Sequence, residues 1–218
     1  MNFDSKKSEI VRTAARLFVE QGYDHTGMRQ IAEESGVSLG LINYHFGSKK
    51  ELGILLIQSH VRTLQDHVNR TSPEDERLRM LTLIRLNYIV FNTPRLKRFY
   101  EDTMKNDIYL EAIINTEVKR ESHRYLSLDK MYWLLGDSYI PVHLERALVL
   151  CPFTDLLDMD VPDFIFRFFI YGYLEGTPGH EVEWYLQRSR QVAADILSNN
   201  PDLYDIFYTV PQIKSNPR

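Results

Sequence analysis

Ser48, Lys49, Lys50 and Glu51 set two ammonium groups inside an S-x-x-E capping box, with Ser48 as N-cap and Glu51 at the third helical position. Positive side chains in a first helical turn oppose the helix dipole, at about 0.3 to 1 kcal/mol each, unless an anion occupies the site. A phosphate reverses that sign, because free amides and both lysines converge on it. Just upstream, the run Leu39 to Phe46 turns Ile42 and Phe46 to one side at i, i+4 and leaves Leu39, Asn43 and Tyr44 facing out. A phosphate site beside an outward polar and aromatic helix is the chemistry of gripping a nucleic-acid backbone while a helix reaches the bases.

Other reactive patterns are weaker. Ser127 and Lys130 fit S-x-x-K but lack the companion motifs of serine acyl-transfer enzymes. His60 and His67 lie seven residues apart with no third ligand nearby, and His180-Glu181 does not continue to the second histidine of a zinc helix. There is no glycine-rich phosphate loop. No catalytic residue, metal site or cofactor is therefore expected, and the chain is not expected to be an enzyme.

The outward helix needs elements to hold it. Ile10, Ala14, Leu17 and Phe18 recur along one face of a helix predicted from Ser5 to Gln21. Gly22 stops it, and Tyr23 stands where a Schellman motif folds back onto Phe18. Thr26 is read as the next N-cap, accepting the Arg29 amide, and Met28, Ile31 and Ala32 give a short apolar face ending at Ser35 and Gly36. Ser38 caps again before Leu39. Two short helices joined by a turn containing Gly36 match the helix-turn-helix pattern, whose second helix enters the major groove.

In order, Ala14, Ala15, Leu17, Phe18, Gly22, Tyr23, Thr26, Ile31, Ala32, Gly36 to Ser38, Gly40, Tyr44 to Phe46, Ser48, Lys49 and Leu52 resemble the TetR family of bacterial transcriptional regulators. The likeness covers roughly Ser5 to Leu56. It implies that Arg29, Leu39, Gly40, Leu41, Asn43, Tyr44 and His45 face the groove and that Thr26, Ser48 and Lys49 hold phosphates. Two positions depart from the pattern. Asn43 stands where the family most often has tyrosine, and asparagine can pair bidentately with adenine N6 and N7; Leu39 replaces a polar or basic residue and can touch a thymine methyl.

Charge qualifies this reading. The 218 residues carry a formal net charge of -4, which is no signature of a bulk polyanion binder. Within the head, Lys6, Lys7, Arg12, Arg16, Arg29, Lys49 and Lys50 are matched in number by Asp4, Glu9, Glu20, Asp24, Glu33, Glu34 and Glu51. Placement must supply the positive potential.

A chain that is 44% hydrophobic and 26% charged is long enough for the head plus one larger domain. The expected division is 1–52 for the DNA-binding head and 53–218 for a helical effector-binding and dimerisation domain. The start of the chain lacks an apolar signal core and no uncharged run approaches a membrane span, so a cytoplasmic protein is expected. Cys151, the single cysteine, has apolar neighbours and is expected to be a buried thiol.

The body reads as all-α. A helix from Lys49 to about Asn69 links head and body over about 30 Å. Ser72 with Pro73 is read as the next helix start, and further helices are expected up to Phe91, from Arg95 to Asn106, from Ile108 to Leu126 and near His143 to Leu150. The segments 163–175, apolar nearly all round, and 180–198, amphipathic, follow. The resemblance implies that these last two pack against their copies as a four-helix dimer interface; an ordinary monomeric core is the other reading. It also implies a pocket for a small, apolar or aromatic effector, for which Tyr88, Phe91, Tyr132 and Trp133 are candidates. The expectation is a ligand-responsive repressor bound as a homodimer to a palindromic double-stranded operator. Its rival is a DNA-anchored adaptor whose body binds a protein partner.

Overall fold

The computed structural model describes residues 3–72, 75–113, 140–151, 159–173 and 178–208. Among the described residues all regular structure is helical. Helix α1 runs Phe3–Gln21, and Gly22 ends it at φ 91°, its amide donating to the Phe18 carbonyl at 3.1 Å. The Tyr23 ring folds back to 5.1 Å from Phe18, as a helix-ending glycine followed by an apolar residue predicts. Helix α2 spans Met28–Ser35 and closes on Gly36 in the left-handed conformation. Helix α3, Leu39–Phe46, starts at Ser38, whose side chain accepts the Leu41 amide.

The capping box is present in full at the start of α4, Lys49–Thr71. The boundary expected at residue 52 falls inside this helix, without a break. Ile10, Phe18, Ile31, Ile42 and Leu52 are fully buried, and they share one apolar core with Leu64, Phe91 and Phe99 of the body. Gly53 lets α4 pass close to its neighbours: a Cβ there would stand 3.1 Å from Ile108 and 3.3 Å from Tyr23.

The body continues with α5 (Glu76–Phe91) and α6 (Lys97–Lys105), a helical stretch over 108–113, then α7 (Ile140–Val149), α8 (Val161–Tyr173) and α9 (Gly179–Asn199). A 3-10 helix, Pro201–Tyr208, follows. Ser72 ends α4 and does not start α5; Asp75 caps α5 by accepting the Leu78 amide at 2.8 Å. A carboxylate there also meets the positive end of the helix dipole, an advantage over the serine. Pro73 and the S-x-x-K stretch Ser127 to Lys130 lie outside the described residues.

Helix α9 lies along α5, which also packs against α4 and α8. An ionic cluster fastens this layer. The buried Arg85 guanidinium donates to Ser189 of α9 at 3.2 Å, to Asp160 at 2.8 Å and to Asp163 of α8. Arg190 donates to Asp163 as well. A buried arginine must be paired in this way, since removing one partner leaves an uncompensated charge in the interior. No helix among the described residues is long and apolar enough to cross a membrane.

Candidate nucleic-acid interface

Helix α3 presents the surface that the sequence singles out. Tyr44 is 72% exposed, Gly40 and Asn43 are exposed beside it, and Leu41 and His45 are half-buried. The Tyr44 and His45 rings meet edge to face at 5.0 Å. Burial holds the His45 imidazole below its ordinary pKa, and the positive charge of Lys7 adds to the effect. The charge of Lys7 in α1 is thus felt at α3, which no spacing in the sequence indicates. Gly40 has open space where a Cβ would project, so the protein's own packing does not require glycine there.

Leu39 is a correction. It is half-buried and packs on the core cluster, so it does not face out freely as the i, i+4 pattern suggests. An apolar side chain in the first turn of α3 gains by lying down onto the head.

Thr26 is a second correction. Gly27, in extended conformation, is the N-cap of α2, and no side chain caps that end. The Thr26 hydroxyl instead donates to the Gly22 carbonyl at 2.8 Å and accepts from Gln21 Nε2 at 3.1 Å. With the residue 2% exposed, this hydroxyl closes the α1–α2 turn from inside and is not available to a phosphate. A buried hydroxyl is held by such bonds because leaving it unpaired costs about 1 to 3 kcal/mol. Arg29 is exposed on the same helix.

The lysine pair is the third. Lys49 Nζ donates to the Tyr23 carbonyl at 2.9 Å and lies 4.1 Å from the centre of the Tyr23 ring. Burial pulls its pKa down, while Asp24 and Asp102 push the other way. Lys50 is paired with Glu111 of the body. The Glu51 carboxylate accepts the Ser48 amide at 2.9 Å, so the start of α4 already holds an anion of its own. Both ammonium groups thus have partners within the protein. Ser48 is exposed, but its hydroxyl serves the cap.

Acidic partners absorb further charge: Arg12 pairs with Glu9, and Arg16 with Glu20 and Glu34. Beneath the head, α6 grips the α1–α2 turn. The Asp24 amide donates to the buried Asp102 carboxylate at 3.2 Å, Asn106 donates to the Asp24 carboxylate at 2.8 Å, and Arg98 meets His25 at 3.0 Å. Phe99 stacks on Phe18 with centroids 5.8 Å apart. Sequence reasoning missed this tie, because its partners are about 80 residues apart.

An adjoining face of α6 borders a cleft of about 550 Å³ whose walls include Tyr88, Lys97, Glu101, Lys105 and Asp160. These described walls are more polar than the apolar or aromatic pocket expected from sequence. Tyr88 lines this cleft. Phe91 does not: it is fully buried among His60, Tyr100 and Tyr109, with centroids 4.6, 5.0 and 5.6 Å away. Tyr132 and Trp133 lie outside the described residues. Cys151 is half-buried on the cleft and not in the core. No group of three metal-ligating side chains occurs among the described residues.

A three-helix head, a left-handed glycine turn and an outward helix bearing Asn43 and Tyr44 define a helix-turn-helix DNA-binding protein. Residues 10–53 match the family model described as bacterial regulatory proteins, tetR family. The head formed by these residues is that of the TetR family of bacterial regulatory proteins. The chain is 29% identical over 150 residues to the HTH-type transcriptional activator FasR of Mycolicibacterium smegmatis, covering 66% of each chain. To the HTH-type transcriptional repressor KstR2 of Mycobacterium tuberculosis it is 23% identical over 186 residues, 84% of this chain and 82% of the relative. To the HTH-type transcriptional regulator LmrA of Bacillus subtilis it is 44% identical over 55 residues, 25% of this chain and 29% of the relative. The chain thus spans about two thirds of FasR and under a third of LmrA. A gamma-butyrolactone receptor described as an ArpA-like protein aligns over 88% of this chain and 98% of its own at 15% identity, with a TM-score of 0.45.

Proposed function

We propose that this protein is a ligand-responsive repressor that binds a palindromic operator as a homodimer. The observation that carries the reading is the α3 face: Gly40, Asn43 and Tyr44 stand exposed on a helix whose other side is locked into the head by Ile42. In this reading Arg29, Leu41 and His45 complete the groove face, Asn43 reads an adenine, and Ser48 lies near the phosphates. One such helix reads too few base pairs for a unique site, which favours a two-fold dimer on half-sites about 34 to 36 Å apart. Phe168 of α8 and Trp184 of α9 are 50% and 52% exposed, and a second copy laid on these helices would cover them. The printed names of the relatives include both an activator and a repressor; repression is the simpler consequence of a dimer occupying a promoter.

The effector acts through α6. Lys97, Glu101 and Lys105 line the cleft at i, i+4, i+8, while Arg98, Asp102 and Asn106, each one residue on, hold the head. A molecule that prefers a shifted α6 pulls on the α1–α2 turn and spoils the half-site spacing; without that preference it switches nothing. The mixed walls suit a small molecule bearing both apolar and charged groups.

Selection of duplexes from a random-sequence pool by the full chain tests the core of this reading. An enriched inverted repeat is expected, and Asn43→Ala should relax preference at one base pair per half-site. A pool with no enriched repeat overturns the operator reading, and a uniform loss of affinity across sequences overturns the role of Asn43. Duplex binding that no small molecule releases, together with stable capture of one protein partner, favours the adaptor.

A further inference from the structure

We propose that the 3-10 helix Pro201–Tyr208 is a strap that fixes α1 of the head to the end of α9, so that the head's orientation follows α9 directly as well as through α4. This short helix packs against α1, α4 and α9 together. Its anchor is Leu203, 1% exposed, which enters the same apolar core as Ile10 and Phe18 of the head. Two polar ties flank the anchor. Asp205 pairs with Arg95 in the turn before α6, and Asp202 lies within electrostatic reach of His67 near the end of α4.

The joint with α9 is short and constrained. Asn200 ends α9, its amide donating to the Leu197 carbonyl at 3.3 Å and its side chain to the Ile196 carbonyl at 2.8 Å. The Leu203 amide then donates back to the Asn200 carbonyl at 3.1 Å. Pro201 stands between them with its φ fixed by the ring. A displacement of α9 is therefore handed to Leu203 with little slack. Neither α6 nor the length of α4 lies on this route, and Ile196 and Leu197 at the end of α9 already belong to the shared core.

Hydrogen exchange on the full-length chain, with no DNA or ligand, tests the strap. Pro201→Gly loosens the joint at an exposed position and leaves Leu203 in place; Leu203→Ala empties the anchor. Exchange at α1 amides should rise by about fivefold in the first variant and by at least about tenfold in the second, relative to amides of α5 in the same sample. If Leu203→Ala does not fold, Pro201→Gly alone decides. Folded variants whose α1 amides exchange no faster than those of the unaltered protein, after normalisation to α5, overturn the proposal.

Discussion

Single residues separate stability from recognition in this head. Gly40 sits in a helix with free space at its Cβ position, so alanine fits and improves helix propensity by about 0.5 to 1 kcal/mol. Gly40→Ala should therefore raise the thermal midpoint while weakening binding to the selected duplex at least about tenfold, because the added methyl meets the DNA. Unchanged affinity would remove α3 from the groove. Thr26 behaves in the opposite sense. Thr26→Val deletes a buried hydroxyl that serves both Gly22 and Gln21, and should cost about 1 to 2 kcal/mol in denaturant unfolding. The slope of DNA affinity against salt should stay as it was; a slope smaller by about one would mean that Thr26 holds a phosphate after all. Both residues fit the family pattern equally well in sequence. Only burial and hydrogen-bond partners tell them apart.

Among the elements, α6 serves both the head and the cleft. Its cleft face and head face are one residue out of step, so a rotation of the helix moves both. Asp102 is the pivot: it is 6% exposed and accepts the Asp24 amide. Asp102→Ala should cost about 1 to 3 kcal/mol, the penalty for a partly buried amide left without its acceptor. It should also speed exchange at residues 22 to 25 before any change appears in α5. Equal protection in both segments would show that the contact is incidental. The helices themselves were legible in sequence because their signals are local: caps at Ser38 and Ser48, the stop at Gly22 and the turn at Gly36 are each set within about four residues. The mistaken starts at Thr26 and Ser72 arose where a second residue close by, Gly27 or Asp75, also suits a cap and the tertiary fold chose between them.

At the scale of the whole molecule, two buried titratable groups among the described residues bias the response to pH in opposite directions. Burial raises the Glu145 carboxyl from its ordinary 4.5 to about 7, against the hydrogen bonds it accepts from Tyr100 and Tyr109. The folded state holds this proton more tightly than the unfolded chain does. Its contribution is complete below about pH 4.5, declines as pH rises, and is lost above about 7. Glu145→Gln keeps an acceptor for the tyrosines and removes the titration. Unfolding measured from pH 5 to 8 should show the unaltered protein losing about 3 kcal/mol relative to this variant, and parallel curves would refute the assignment. His60 works in the other direction. Burial lowers it from 6.5 to about 3, so its contribution is present above 6.5 and is lost as pH falls toward 3.

Sequence alone determined the helical class, the course of α1 to α4 to within about two residues and the outward placement of Asn43 and Tyr44 on α3. These follow from period, caps and glycine placement, which act over a single helical turn. The tertiary structure decided which of the candidate groups have free hands. Lys49 is folded onto Tyr23, Lys50 onto Glu111 and Thr26 onto Gly22, while Arg29, Asn43 and Tyr44 are exposed. It also decided that α6 and the 3-10 helix after α9 both hold the head. The reason is physical: a charge or hydroxyl bonds to whatever the packed chain brings within about 3 Å, and those neighbours come from segments whose separation along the chain carries no signal.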